Sequence, residues 1–76
     1  MASIETRVRS IVAEVTGIPQ GRIEAQFDLR ANADSLEIVE IVTLCEQEFS
    51  VSIDDAAMAA LSTEADLVAA VEARLA

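Results

Sequence analysis

Apolar residues at Ile4, Val8, Ile11, Val12 and Val15 return with the period of a helix, Ser3 stands where an N-cap is favoured, and Gly17 supplies a stop. The pattern predicts helix one over Ile4–Thr16. The period then lapses from Gly17 to Asp34, where Gly17, Pro19 and Gly21 punctuate the chain. Connections longer than about 12 to 15 residues are uncommon in small domains unless they serve a purpose. Ile18, Ile23, Phe27 and Leu29 are placed to pin this one onto a helical core. At Asp34-Ser35-Leu36-Glu37 a strong helical period resumes and continues to about Phe49. Asp34 can accept from the first-turn amides, and Glu37 can reach back as in a capping box, so helix two starts at Ser35. A short third helix is expected from Asp54 to Ala60. Thr63 with Asp66 suggests another cap, and Leu67, Val68, Val71 and Leu75 form the stripe of a last helix. The expectation is an all-α four-helix bundle with a short third helix and a long loop between helices one and two. It forms one domain over residues 1–76, with no repeat and no low-complexity tail.

Helix two carries the most information. At 100° per residue, Ile38, Val42, Cys45 and Phe49 share a face flanked by Val39 and Ile41, the expected core face. The opposite side collects Leu36, Glu37, Glu40, Thr43, Leu44 and Gln47. Two readings of that strip stand at this point. It is a solvated face kept charged for solubility, or it docks a basic partner, with carboxylates steering encounter and leucines anchoring contact.

The distribution of charge bears on that choice. The chain has fourteen acidic residues against five arginines, a net charge of -9, and neither lysine nor histidine. Residues 1–27 balance to zero, residues 56–76 contribute -2, and residues 28–55 carry eight acids against Arg30 alone, a balance of -7. Such charge repels phosphate backbones and anionic lipid, which argues against nucleic-acid or membrane binding and for basic partners. With 53% apolar residues the chain nevertheless has the material for a core.

Composition also excludes chemistry. At 76 residues there is little surface to wall a deep cleft, and without histidine no side chain titrates near neutrality to move protons or activate a nucleophile. A conventional enzyme is not expected. The single Cys45 rules out an internal disulfide and a cysteine-rich zinc site, and its place on the core face makes it a small buried hydrophobe. The acids from Asp28 to Glu40 do not form a calcium loop, because the turn glycine is missing and Arg30 occupies a ligand position. Arg7 and Arg9 are expected to be solvated or paired with nearby glutamates. No stretch approaches the roughly 18 apolar residues of a membrane span, and the N-terminus lacks a signal-peptide pattern, so a monomeric cytoplasmic protein is expected.

Ser35 sits at the start of helix two, at the tip of the long loop. Serine is favoured near helix starts for structural reasons alone. Its hydroxyl is also a candidate site of covalent attachment, since a phosphate placed there faces the positive end of the helix dipole. A chain without catalytic groups but with one presented hydroxyl reads as a substrate or carrier.

Five blocks in order resemble the acyl carrier protein family across essentially the whole chain. They are Ser3-Ile4-Glu5-Thr6-Arg7-Val8, Gly17-Ile18, Asp34-Ser35-Leu36-Glu37 with Val39-Glu40-Ile41-Val42, Glu46-Gln47-Glu48-Phe49, and Val51-Ser52-Ile53-Asp54-Asp55, followed by Thr63 to Leu67. The resemblance implies a four-helix bundle whose Ser35 carries 4'-phosphopantetheine through a phosphodiester, transferred from coenzyme A by a Mg-dependent phosphopantetheinyl transferase. The arm's thiol would hold acyl groups as thioesters for loading and transferring enzymes in fatty-acid, lipid or polyketide-type biosynthesis. The reactive sulfur then belongs to the cofactor, so the protein supplies no nucleophile. Asp34, Leu36, Glu37, Val39 and Glu40 match positions that family members present to basic partner enzymes.

The chain also departs from the family's pattern. Family members usually have Asp-Leu-Gly shortly before Asp-Ser-Leu. This chain reads Asp28-Leu29-Arg30-Ala31-Asn32-Ala33-Asp34-Ser35, with no glycine beside the site, and its loop is about two residues short of the usual length. Thr43 and Gln47 stand where an apolar residue and an acid are frequent. These changes point to a specialised carrier serving a dedicated lipid or secondary-metabolite pathway. The Gly-Gly-His/Asp-Ser pattern of peptidyl carriers is absent, which favours acyl cargo over a freestanding aminoacyl or peptidyl carrier. A cofactor-free acidic adaptor is the alternative from another class.

Overall fold

In the computed structural model, which describes residues 3–75, helix α1 runs Ile4–Thr16. Ser3 caps it by accepting from the Thr6 amide at 3.1 Å, and Gly17 ends it at φ 76°, a left-handed conformation that glycine adopts without a Cβ penalty. Helices α2 (Leu29–Asn32), α3 (Ser35–Phe49), α4 (Asp55–Ala59) and α5 (Glu64–Leu75) follow. The regular structure of the described residues is thus all helical, with one isolated bridge between Asp28 and Thr63 and no strand, as expected, but it comprises five α-helices where four are predicted.

The difference lies in the long connection. A 3-10 turn forms at Gln20–Arg22, and Asp28 caps the single turn α2 by accepting from the Ala31 amide at 3.0 Å. One turn is too short to show a periodic stripe in the sequence. Ala33 is extended at φ -142°, which separates α2 from α3 and leaves Asp34 free to cap the next helix.

Ile23 and Leu29 are buried and anchor the connection, while Ile18 and Phe27 pack half-buried against the core. Burying each side chain is worth about 1.5–3 kcal/mol, enough to hold a segment with little regular structure. The backbone helps as well. The amides of Glu64 and Ala65 donate to Phe27 O at 3.0 Å and Ala25 O at 2.9 Å, and Leu29 N donates to Ser62 O at 2.9 Å. Amides that the first turn of α5 cannot satisfy internally are thereby bonded to the loop.

The three long helices α1, α3 and α5 pack on one another. Val8, Ile11 and Val12 meet Ile38, Ile41, Val42, Cys45 and Phe49 of α3 and Leu67, Val68 and Val71 of α5. The expected flanks of α3 divide: Ile41 is buried, but Val39 is 47% exposed. Leu75 is 47% exposed as well and ends the stripe of α5 outside the core. Arg7 ties α1 to α3, with Nη2 2.7 Å from Glu48 Oε2 and its guanidinium 4.4 Å from the centre of the Phe49 ring. The predicted Thr63–Asp66 cap forms, and reciprocally. Asp66 Oδ2 accepts from the Thr63 and Ser62 amides at 3.0 and 2.9 Å, and Asp66 N donates to Thr63 Oγ1 at 3.3 Å.

Candidate functional site

The site begins with the capping box of α3. Asp34 Oδ1 accepts from the Glu37 amide at 2.8 Å, and Glu37 Oε1 accepts from the Asp34 amide at 3.0 Å. This fixes the first turn and places Ser35 as the first helical residue, exposed to solvent. The amides of Ser35 and Leu36 lie in the opening turn, where no intrahelical acceptor exists. A phosphate esterified to the Ser35 hydroxyl would sit at the positive end of a four-turn helix.

Beside Ser35 a groove of about 230 Å³ runs between α3 and α4, lined by Ile38 and Val39 on one side, Asp55, Met58 and Ala59 on the other, and Arg30. Its apolar walls suit an aliphatic arm or chain, and the exposed hydroxyl leaves room for a phosphodiester. The residues present therefore fit a phosphopantetheine group. Arg30 was not foreseen here. Its partners are backbone carbonyls, Leu61 O and Met58 O at 2.9 Å and Ala59 O at 3.3 Å, and carbonyls leave no signature in a sequence.

The expected docking residues gather at this end of the molecule. Leu36 is 81% exposed and shares a face with Val39 and Glu40 at i, i+3 and i+4, while Asp34 is exposed and Glu37 is half-buried by its capping role. Leu44 is a correction: it is half-buried and packed against the core, so it is not the second outward leucine that the face was expected to offer.

The acidic middle of the chain also has structural duties. Asp28, Asp34 and Asp54 cap helices, Glu37 completes the box, Glu46 accepts from Ile53 N at 2.8 Å, and Glu48 pairs with Arg7. Among the described residues, Glu40 and Asp55 are left as the acids of this block with no polar contact. Asp55 lines the groove, and Glu40 follows the lining residue Val39 on α3. Cys45 is buried as expected, and burial, with Glu48 and Glu46 adding to it, pushes its thiol up to about 12.

The fold and the site together define a small helical domain that presents one hydroxyl at a helix start, beside an apolar groove, with no histidine anywhere in the chain to act on it. The family model described as "Phosphopantetheine attachment site" matches residues 6–71. The chain is 38% identical over 80 aligned positions to an acyl carrier protein of Thermotoga maritima, covering 99% of each. It is 37% identical over 65 positions to an acyl carrier protein of Phaeodactylum tricornutum, covering 83% of this chain and 86% of that one. The chain belongs to the acyl carrier protein family, whose members are carriers of acyl groups on covalently attached phosphopantetheine.

Proposed function

We propose that Ser35 is the residue that bears the phosphopantetheine arm. The observation that carries this reading is position. Ser3 also stands at a helix start, but its Oγ is engaged as the N-cap of α1 and it does not line the groove. Ser10 lies within α1, and Ser50, Ser52 and Ser62 follow helix ends or lie in loops, whereas Ser35 is the first residue of a long helix and lines the groove. Residues 1–76 then act as one carrier domain in the cytoplasm, with α1, α3, α4 and α5 as its four-helix bundle and α2 as an elaboration of the loop. When attached, the arm would have its phosphate held at the Ser35 and Leu36 amides and its chain held by Val39 and Met58, and its thiol would supply the thioester bond.

Asp34, Leu36, Glu37, Val39 and Glu40 form the surface offered to a phosphopantetheinyl transferase and to acyl-handling enzymes with basic faces. Charge steers the encounter and Leu36 anchors it. Arg30, Thr43 and Gln47 distinguish this chain from the common pattern and support a dedicated lipid or secondary-metabolite pathway as its setting. Incubation of the unmodified protein with coenzyme A and a broad-specificity transferase, followed by intact-mass measurement, tests the attachment site. A phosphopantetheine mass gain is expected in the unsubstituted protein and none in Ser35→Ala. An equal gain in both would move the arm to another residue.

A further inference from the structure

The bonds of Arg30 do more than end a helix. Nε donates to Leu61 O and Nη2 to Met58 O and Ala59 O, so one guanidinium gathers three carbonyls at the C-terminal end of α4 and the following turn, of which Met58 O also accepts from the Leu61 amide at 3.2 Å. These bonds carry the donor's full charge and belong to the stronger class. Helix α4 itself buries little: it is five residues long, none of them is fully buried, Ala57 and Met58 pack on the core only in part, and beyond the Asp54 cap it is anchored through its buried neighbours Ile53 and Leu61. Arg30 itself comes from α2, directly before the site helix, and lines the groove together with Ser35, Met58 and Ala59. It therefore ties the α4 wall of the groove to the segment that leads into Ser35.

The groove, partly open to solvent, offers about 230 Å³. That lies below the about 300–1,000 Å³ of sites that enclose a drug-sized ligand. A short chain fits with α4 in place, but a longer one is shielded along its length only if Met58 and Ala59 move outward, which stretches the bonds to Arg30; otherwise its end stays in solvent. We infer that Arg30 is a positioning residue that limits the length of acyl chain the groove shields. The inference rests on Ser35 being the attachment residue.

The test uses the protein loaded by a transferase from acyl-coenzyme A donors with four-, eight- and twelve-carbon chains. Loading is verified by mass, and thioester cleavage by hydroxylamine is then timed. In Arg30→Ala, cleavage of the two longer thioesters should slow about tenfold relative to the unsubstituted protein, the effect of one charge-assisted bond that no longer has to break. The four-carbon thioester should be cleaved at the same rate in both. Arg30→Lys, which keeps a cationic donor for the carbonyls of α4, should fall between them. A merely structural role would lower the melting temperature without changing the dependence on chain length. Identical length profiles, or protection lost equally at every length, would overturn the inference while leaving the attachment site intact. An Arg30→Ala protein that fails to load while the unsubstituted one loads would also overturn it, by assigning Arg30 to transferase recognition. Absence of loading at Ser35 in the unsubstituted protein would overturn the attachment reading and this inference together.

Discussion

The guanidinium of Arg9 stands 3.6 Å from the carboxylate of Glu64, a side chain with no exposed surface, where α1 crosses α5. The distance is beyond hydrogen-bond reach, and neither carboxylate oxygen has a hydrogen-bond partner among the described residues. Arg9 is meanwhile shared with Glu5 at 2.9 Å, so Glu64 is held by charge alone. Breaking a buried pair from one side strands the other ion, whereas replacing the buried charge by an apolar group of similar volume is often neutral or better. Arg9→Ala should therefore destabilise the protein by about 2 kcal/mol, less than for a fully enclosed pair because Arg9 keeps some solvent contact. Glu64→Leu should be neutral or stabilising by about 1–2 kcal/mol. Urea denaturation midpoints measure both, and a Glu64→Leu protein weaker than Arg9→Ala would contradict this reading of the pair.

The same carboxylate gives the fold a distinctive pH response. Burial raises the Glu64 carboxyl above its ordinary value of about 4.3, and Arg9 offsets this only in part. Since the folded state holds this proton more tightly than the unfolded state, stability from Glu64 is complete below the ordinary carboxylate value and declines as pH rises through the raised one. Asp66 acts in the opposite sense. The Thr63 and Ser62 amides lower its value below about 3.9, so its contribution is lost only as pH falls through that lower range. Glu5 and Arg9 are the charged groups that bear on Glu64, and Glu64→Leu leaves both in place. The stability advantage of Glu64→Leu should accordingly widen between acid and neutral pH, as read by urea titrations at successive pH values. A constant difference would refute it.

Glu64 occupies a core position that the residue type conceals. Positions 64, 67, 68 and 71 lie on one stripe of α5, so the spacing that identified Leu67, Val68 and Val71 as core places Glu64 among them. A carboxylate at a core position discourages that assignment, and its partner Arg9 is 55 residues away in the chain, beyond any local pattern. The bounds of α1 and α3 were legible because caps and period agree there, at Ser3 and Gly17 and at Asp34 with Glu37. Helix α2 and the clamp on α4 were not, since one rests on a single turn and the other on backbone acceptors. Ser35 stood out only through several blocks of resemblance, and its groove depends on Met58 and Ala59, which no spacing relative to Ser35 reveals.

Two helix ends use the left-handed conformation, one with glycine and one without. Gly17 has φ 76°, and a Cβ there would meet nothing within 4 Å, so Gly17→Ala should cost about 1 kcal/mol from backbone conformation alone. Ser50 has φ 55° at the end of α3, and Ser50→Gly should relieve a penalty of about 0.5–1 kcal/mol, less the added freedom of the unfolded chain. For a domain of this size each 1 kcal/mol moves the melting temperature by about 4–8 °C. Calorimetry should therefore show shifts of opposite sign, and a lowered melting temperature in Ser50→Gly would contradict the assignment of strain to that residue.

Burial and the neighbouring Glu48 and Glu46 suppress the thiolate of Cys45, so this residue should not react with a disulfide reagent at neutral pH while the protein is folded. The unmodified protein should titrate as having no accessible thiol, and the phosphopantetheinylated one as having a single thiol, contributed by the arm. In denaturant each count should rise by one. A reactive thiol in the native unmodified protein would show that the packing of α1 against α3 around Cys45 opens readily.

Substitutions on the acidic face separate docking from folding only if they spare the capping carboxylates. Glu37→Arg would remove the bond to the Asp34 amide and unsettle the first turn of α3 along with any surface effect. Glu40 is exposed and has no polar contact among the described residues, so Glu40→Arg changes the charge of the face by two units and leaves the fold's hydrogen bonds in place. If basic partners are steered to this face, Glu40→Arg should slow phosphopantetheine loading about tenfold at low salt through the association step, with the difference shrinking as ionic strength shortens the Debye length to about 8 Å. Leu36→Ala should instead slow loading equally at all salt concentrations, because it removes apolar contact and no charge. Stopped-flow loading rates across a salt series distinguish the two effects, and a salt-independent rate for Glu40→Arg equal to that of the unsubstituted protein would remove Glu40 from the docking surface.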